Sequence, residues 1–188
     1  MDNGVNLLVL SGPSGSGKDT LMKELLARDE SIHLSVSVTT RPKRDGEENG
    51  VNYYFFTKEE FEEKIESDSF LEYTVYCENY YGTLKSEVDE YLSEEKCVAL
   101  VIEVEGAASI KRLYPKCTAI FIKPPSMEEL CRRLRVRNTE SEEAIMQRLK
   151  RAEEELVYTE DYDYVIENDD LEECTNKIAE IFANRKKV

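Results

Sequence analysis

Residues 8–20 read LVLSGPSGSGKDT: a short apolar run, a glycine-rich turn and the opening of a helix in immediate succession. That order describes a cradle for phosphate. Gly12, Gly15 and Gly17 permit backbone conformations and close approaches that a side chain would block, so successive amide N–H groups can converge on an anion. Lys18 adds a mobile positive charge. A helix opening near Asp19 brings its unpaired N–H groups and the positive end of its dipole to the same point. The spacing of Gly12, Gly17 and Lys18 fits the P-loop pattern, in which a Ser or Thr normally follows the lysine and helps to hold Mg2+. Here Asp19 stands at that position and Thr20 comes after it. A glycine-rich loop with a chance lysine is the plainer alternative. The strand-like run before it and the amphipathic run after it favour nucleotide binding, because they supply the context that a bare motif lacks.

The rest of the composition narrows the classes. With 188 residues the chain is long enough to bury a substantial core, as one domain or as one core with inserted subdomains. A formal net charge of -15 argues against nucleic acid or an anionic membrane as a partner. Against that background the clusters Arg41-Pro42-Lys43-Arg44 and Arg132-Arg133-Leu134-Arg135-Val136-Arg137 stand out. They are either salt-bridged surface or specific anion sites, and the phosphate cradle favours the second. The five cysteines are widely spaced with no Cys-x-x-Cys pair, as expected of reduced thiols in a cytoplasmic protein. His33 is the only histidine, which argues against a zinc site or a histidine-activated nucleophile. No apolar run approaches the roughly 20 residues needed to span a bilayer, and the start of the chain lacks a cationic signal pattern. The oligomeric state is left open.

Strand-like and helix-like segments alternate along the chain. Residues 6–11 predict a buried strand, and a helix follows to about residue 28 with Leu21, Met22, Leu25 and Leu26 on one face. Residues 34–38 alternate like a second strand, 39–50 read as a loop rich in function, and 53–56 as a short strand. Thr57 with Glu60 forms a capping box that opens a helix. Residues 70–75 return to strand character, 79–82 read as a turn, and 86–92 as a helix. The apolar run 97–104 carries one acid, Glu103, near its end, like a parallel strand whose C-terminal tip delivers a functional side chain. Residues 118–122 and 164–166 are further strands. Ser126 with Glu129, and Thr139 with Glu142, form two more capping boxes, the second opening a helix to about residue 157; residues 170–185 make the last helix. The alternation implies a parallel sheet with right-handed crossovers, interrupted at about 37–90 by an inserted lobe.

Transfer of a phosphoryl group between two polyanions needs charge neutralisation and in-line placement, with little covalent work for the protein. Two basic clusters flanking the cradle suit donor and acceptor phosphates. The polar stretch 139–143 is the candidate for a closing lid that excludes water.

The segments GPSGSGKDT, SVSVTTRPKRDGEENGVNYYFF, FLEY, NYYGT, VIEVEGA, PPSMEEL, RRLRVRNTESEEAIMQRL and NDDL resemble, in this order and over about residues 6–182, those of guanylate kinases. The resemblance implies an α/β, P-loop NTPase-type parallel sheet flanked by helices. A single domain, 1–188, would comprise a core (about 1–36, 91–133 and 158–188), a GMP-binding lobe (about 37–90) and a helical lid (about 134–157). It implies ATP-dependent, Mg2+-assisted conversion of GMP, and of dGMP, to the diphosphate. Carried across, it makes Gly12, Pro13, Ser14, Gly15, Ser16, Gly17, Lys18, Asp19, Thr20, Asn168 and Asp169 the candidate ATP site. Ser37, Arg41, Arg44, Tyr53 and Tyr81 are candidates for the GMP phosphate, and Arg41 and Arg44 suit it because a guanidinium fork matches phosphate oxygens. Glu72, Thr83 and Glu103 fall where the family reads guanine, whose adjacent N–H donors a carboxylate satisfies. Lys18, Arg41, Arg133, Arg137 and Arg148 are the candidate catalytic residues.

Several positions depart from the family pattern: Asp19 in place of Ser or Gly, Val101 in place of a carboxylate, Glu103 for Asp, Glu105 for Gln and Asn138 for Gly. A carboxylate beside a triphosphate is repulsive unless a cation intervenes. Asp19 is therefore the candidate Mg2+ ligand, directly or through water, and compensates for Val101. Two alternatives stand beside the leading reading: a paralogue with shifted monophosphate specificity, and a binding module for a phosphorylated or acidic peptide. The second is disfavoured by the retained Lys18, Arg137 and Arg148.

Overall fold

The structure is a computed structural model that describes residues 6–94, 96–136 and 142–185. In chain order the strands are β1 (Leu7–Ser11), β2 (Ile32–Leu34), β3 (Val38–Thr39), β4 (Tyr54–Phe55), β5 (Phe70–Tyr76), β6 (Asn79–Leu84), β7 (Cys97–Val101), β8 (Thr118–Lys123) and β9 (Tyr164–Glu167). The helices are α1 (Lys18–Arg28), α2 (Lys58–Glu66), α3 (Lys85–Ser93), α4 (Val104–Leu113), α5 (Met127–Val136), α6 (Glu142–Glu155) and α7 (Leu171–Asn184). A 3-10 turn, Leu156–Asp161, follows α6.

One sheet has the order β2-β7-β1-β8-β9, with every pairing parallel. β1 runs through its centre and all five of its residues are buried, as an unbroken apolar strand covered on both faces must be. Leu8 and Leu10 face Leu21, Met22 and Leu25 of α1 and Ile178 and Phe182 of α7. Leu7 and Val9 face the other way, onto Val88 of α3 and Ala107 and Ile110 of α4. The result is three layers, with the loops after β1, β7 and β9 at one edge of the sheet, where open α/β sheets bind ligands.

The second sheet has the order β4-β3-β6-β5. Its core is Val38, Phe61 and Phe70, with Phe61 stacked between Phe70 and Tyr80 at ring-centroid distances of 4.2 and 4.9 Å. The Thr57 capping box forms in full: Thr57 accepts from the Glu60 N–H at 3.1 Å and Glu60 accepts from the Thr57 N–H at 2.7 Å.

Four expectations are corrected. The single strand over 34–38 is two strands in two sheets, Leu34 pairing with Ala99 and Val38 with Gly82. Alternation reports that side chains are buried, not against which sheet. The turn expected at 79–82 lies at Cys77 and Glu78, whose φ angles of 46° and 65° make a two-residue hairpin turn. Gly82 is instead a packing residue, since a Cβ there would stand 3.1 Å from Phe61 Cζ and 3.0 Å from Phe70 Cδ1. The run 97–104 stops as a strand at Val101, and α4 follows with Glu103 as its N-cap residue. The Ser126 box is half formed. Ser126 accepts from the Glu129 N–H at 3.1 Å, but the Glu129 carboxylate turns to Arg132 and Arg133. The Thr139 box, Arg137 and Asn138 lie outside the described residues.

Candidate active site

The loop after β1 is shaped by positions that exclude a side chain. Gly12 has φ 131° and a Cβ on it would meet the Ile122 carbonyl oxygen at 2.2 Å; Gly17 has φ 99° and a Cβ would meet Asn168 Nδ2 at 2.2 Å. Gly17 caps α1 without any side-chain acceptor, so the first N–H groups of the helix face the loop. Lys18 is buried and its Nζ donates to the carbonyls of Gly12 at 2.5 Å and Pro13 at 3.2 Å, which holds the ammonium inside the loop it serves. The Ser16 N–H donates to Pro13 at 3.0 Å. The Ser16 carbonyl receives Asn168 Nδ2 at 2.7 Å and Arg133 Nη1 at 3.3 Å, while Arg133 Nη2 donates to the Asn168 carbonyl at 2.8 Å. Arg133 and Asn168 therefore fasten the loop to the end of β9. Arg148, buried on α6, donates to Ser14 Oγ.

A cavity of about 780 Å³ opens between this loop and the second sheet. Of the candidate residues, Ser14, Gly15, Gly17, Lys18, Asp19, Ser37, Arg41, Arg44, Tyr53, Tyr81, Glu103 and Arg148 line it. On the far wall, Arg41 makes a two-pronged pair with Glu47 at 2.9 and 2.7 Å, and its guanidinium lies 5.3 Å from the Tyr53 ring centroid. Burial costs the guanidinium, but the Glu47 carboxylate more than offsets this and holds the Arg41 pKa above its usual value. Glu47 also accepts the Arg44 N–H at 2.7 Å, so one acid shapes the whole basic turn. Burial raises the phenols of Tyr53 and Tyr81 and keeps them protonated donors.

Of the three residues expected to read guanine, Glu103 lines the cavity, while Glu72 and Thr83 are buried and do not. Glu72 accepts from Thr83 Oγ1 at 2.6 Å, and burial pushes its pKa up to about 7 although Thr83 pulls it down. Glu103 is raised by burial and by Asp19, and lowered by Lys18, Arg148 and Arg151. Its Oε2 is buried with no hydrogen-bond partner among the described residues. The charge of Glu103 in turn raises Glu72.

Asp19 is exposed and lines the same cavity as Val101. No group of three or more acidic, His or Cys side chains among the described residues is arranged to hold a metal unaided. One cavity-lining carboxylate fits Mg2+ all the same, because Mg2+ commonly keeps several waters and takes one or two carboxylates together with substrate phosphates. Thr20 is exposed in the first turn of α1. Asp169 is exposed and its carboxylate accepts the Asp170 N–H at 2.8 Å at the start of α7. Arg132 and Arg135 pair with Glu129 and Glu142 on the surface. Glu47 and Tyr76 belong to the cavity wall but were not singled out by sequence; an acid three residues after Arg44 was the signal for the first, and nothing marked the second.

The family model described as "Guanylate kinase" matches residues 4–185. A guanylate kinase of Fusobacterium nucleatum is 49% identical over 178 residues, covering 95% of this chain and 96% of the relative. One from Desulfitobacterium hafniense is 46% identical over 180 residues, covering 96% and 90%. The crystal structure of guanylate kinase from Anaplasma phagocytophilum has a TM-score of 0.79 at 36% identity, covering 97% of this chain and 86% of that one. A shikimate kinase from Bacteroides thetaiotaomicron, at 15% identity and a TM-score of 0.52, shares the fold alone. With a P-loop, an opposed basic wall and full-length similarity in one chain, the protein belongs to the guanylate kinase family.

Proposed function

We propose that the protein transfers the γ-phosphoryl group of ATP to GMP, and to dGMP, in the cavity between the P-loop and the second sheet. A GMP phosphate oxygen attacks the γ-phosphorus in line, and the bond to the β-phosphate oxygen breaks to release ADP. The observation that carries this reading is that Lys18 and Arg148 line one side of the cavity while Arg41, Arg44, Tyr53 and Tyr81 line the other. We assign residues 12–20 to the donor phosphates, with Arg133 and Asn168 fixing the shape of the loop and Asp169 beside them. Lys18 and Arg148, with Arg137, neutralise charge as it moves from donor to acceptor. Arg41, Arg44, Ser37, Tyr53 and Tyr81 hold the GMP phosphate, for which Arg41 exchanges Glu47. Glu72, Thr83 and Glu103 read guanine. Asp19 is the residue that would hold Mg2+, which screens the donor phosphates when bound. The partition into core, lobe and lid belongs to this proposal, with about 37–90, which holds the second sheet, as the lobe and about 134–157, which holds α6, as the lid. No disulfide joins the five cysteines, as suits the reducing cytoplasm.

Two variants test the assignment together. Lys18→Ala should bind GMP as the wild type does and lose turnover by on the order of a hundredfold or more, because it removes charge used in transfer. Arg41→Ala should raise the Kd for GMP by about tenfold or more, because it removes a two-pronged phosphate contact. Unchanged GMP affinity in Arg41→Ala, measured by calorimetry, would contradict the placement of the acceptor.

A further inference from the structure

Glu105 has no part in the reaction as assigned and does not line the cavity, yet it touches β5 and α6, whose Tyr76 and Arg148 do line it. It stands in the first turn of α4, where its Oε2 accepts from Thr74 Oγ1 and its Oε1 pairs with Arg151 Nη2 at 2.5 Å. Thr74 lies two residues beyond Glu72 on the inward face of β5. Arg151 lies three residues beyond Arg148 on α6, which places the two on neighbouring turns of the same helix. Arg151 Nε also donates to the buried Glu155 at 3.1 Å, so its guanidinium is held at two points. The start of α4 bears directly on Glu72 as well: a Cβ on Gly106 would stand 2.3 Å from Glu72 Oε2. A chain of polar contacts therefore runs from β5 through α4 to α6.

A half-exposed ion pair of this kind adds little to stability by itself. Its distinctive property is that one carboxylate is shared by two elements that carry different halves of the site. Sliding β5 or α6 against α4 breaks one contact and loosens the geometry of the other, which is how packed elements come to move together. A neutral amide at 105 keeps acceptor capacity for one contact but gives up the charge that draws Arg151 in.

We propose that Glu105 is a positioning residue that couples the two nucleotides: by holding Thr74 and Arg151 at once, it lets occupation of the guanine side set the place of Arg148 on the donor side. The inference rests on the proposed assignment of acceptor and donor. Its consequence is synergy, in which each nucleotide strengthens binding of the other by the same factor.

The test measures the affinity of the full chain for GMP alone, for the Mg2+ complex of a non-hydrolysable ATP analogue alone, and for each in the presence of the other. Wild type is compared with Glu105→Ala, Glu105→Gln, Thr74→Val, Arg151→Met and the Glu105→Ala/Arg151→Met pair. The wild type should show synergy of about tenfold, which Glu105→Ala, Thr74→Val and Arg151→Met each reduce to about twofold or less. The double variant should lose no more than either single one, since both remove the same contact. Their kcat should fall by about tenfold while KM for GMP moves by less than about threefold, and Glu105→Gln should recover part of both losses. Synergy that persists in the variants, is absent from the wild type, or falls additively would overturn the inference. So would a lower melting temperature with the synergy intact. A wild type that bound no GMP would instead overturn the assignment of the acceptor site, a result distinguishable from all of these.

Discussion

Glu72 is an acid that the fold has taken out of water, and hydrogen bonding from the Thr83 side chain and backbone does not restore what burial removes, so its pKa is pushed up to about 7. The ligand-free protein is therefore a mixture of protonated and ionised forms at neutral pH, whereas guanine's N1 and N2 donors call for the ionised one. GMP affinity should rise by about tenfold between pH 6 and pH 8 through this group, beyond whatever change the phosphate itself contributes. Glu72→Gln should bind GMP more weakly at pH 8 and lose that increment; an identical pH profile in the two proteins would show that Glu72 does not meet the base. Glu155 gives the corresponding result for stability. Burial and the charge of Glu103 lift it to about 7 from the usual 4.5, with Lys18 and Arg151 opposing. Between those pH values the folded chain holds a proton that the unfolded chain has released, so stability falls as pH rises from about 4.5 to 7, by on the order of 3 kcal/mol. Glu155→Gln should flatten that slope in denaturant titrations. Sequence could mark Glu72 through its motif, but Glu155 is one acid in a run of three and only its 2% exposure separates it from its neighbours.

Among the elements, those whose ends carry their own signals are the ones that were legible. Thr57 and Glu60 announce the start of α2 because both halves of the capping box are local, and both form. Thr57→Ala should cost about 1 kcal/mol in thermal or chemical unfolding. The β5–β6 turn was not legible because Cys77 and Glu78 adopt positive φ without the Gly or Asn that normally advertises it. The two-sheet split after Leu34 was hidden for a different reason, since pairing partners far along the chain, Ala99 for Leu34 and Gly82 for Val38, decide it. Phe61 is the test of the second sheet as a unit. It is fully buried between Phe70 and Tyr80, and β5 and β6 carry Glu72, Thr83 and Tyr81 over it. Phe61→Ala should cost about 3–5 kcal/mol and raise KM for GMP more than KM for ATP. Equal effects on the two nucleotides would mean that the second sheet does not serve the acceptor alone.

Across the whole molecule, the parallel sheet supplies three chain ends at one edge: the P-loop after β1 and Glu103 after β7 line the cavity, and Asn168 after β9 holds the P-loop in place. The second sheet closes the cavity from the other side and brings the basic turn with it. Sequence pattern could foresee the parallel sheet, because buried strands and helices alternate. It could not foresee which acids would meet which arginines, since Glu47, Glu105 and Glu129 look alike in a chain with 40 acidic residues and differ only in what they touch. The departures from the family pattern at Asp19, Val101, Glu103 and Glu105 raise one question, whether the acceptor is still GMP. The direct measurement is diphosphate formation from GMP, dGMP, IMP, AMP, UMP and CMP under identical ATP and Mg2+ conditions, with Lys18→Ala alongside. Turnover of GMP and dGMP far above the rest, lost in Lys18→Ala, is the expected result; faster turnover of another monophosphate, or turnover that survives without Lys18, would contradict it.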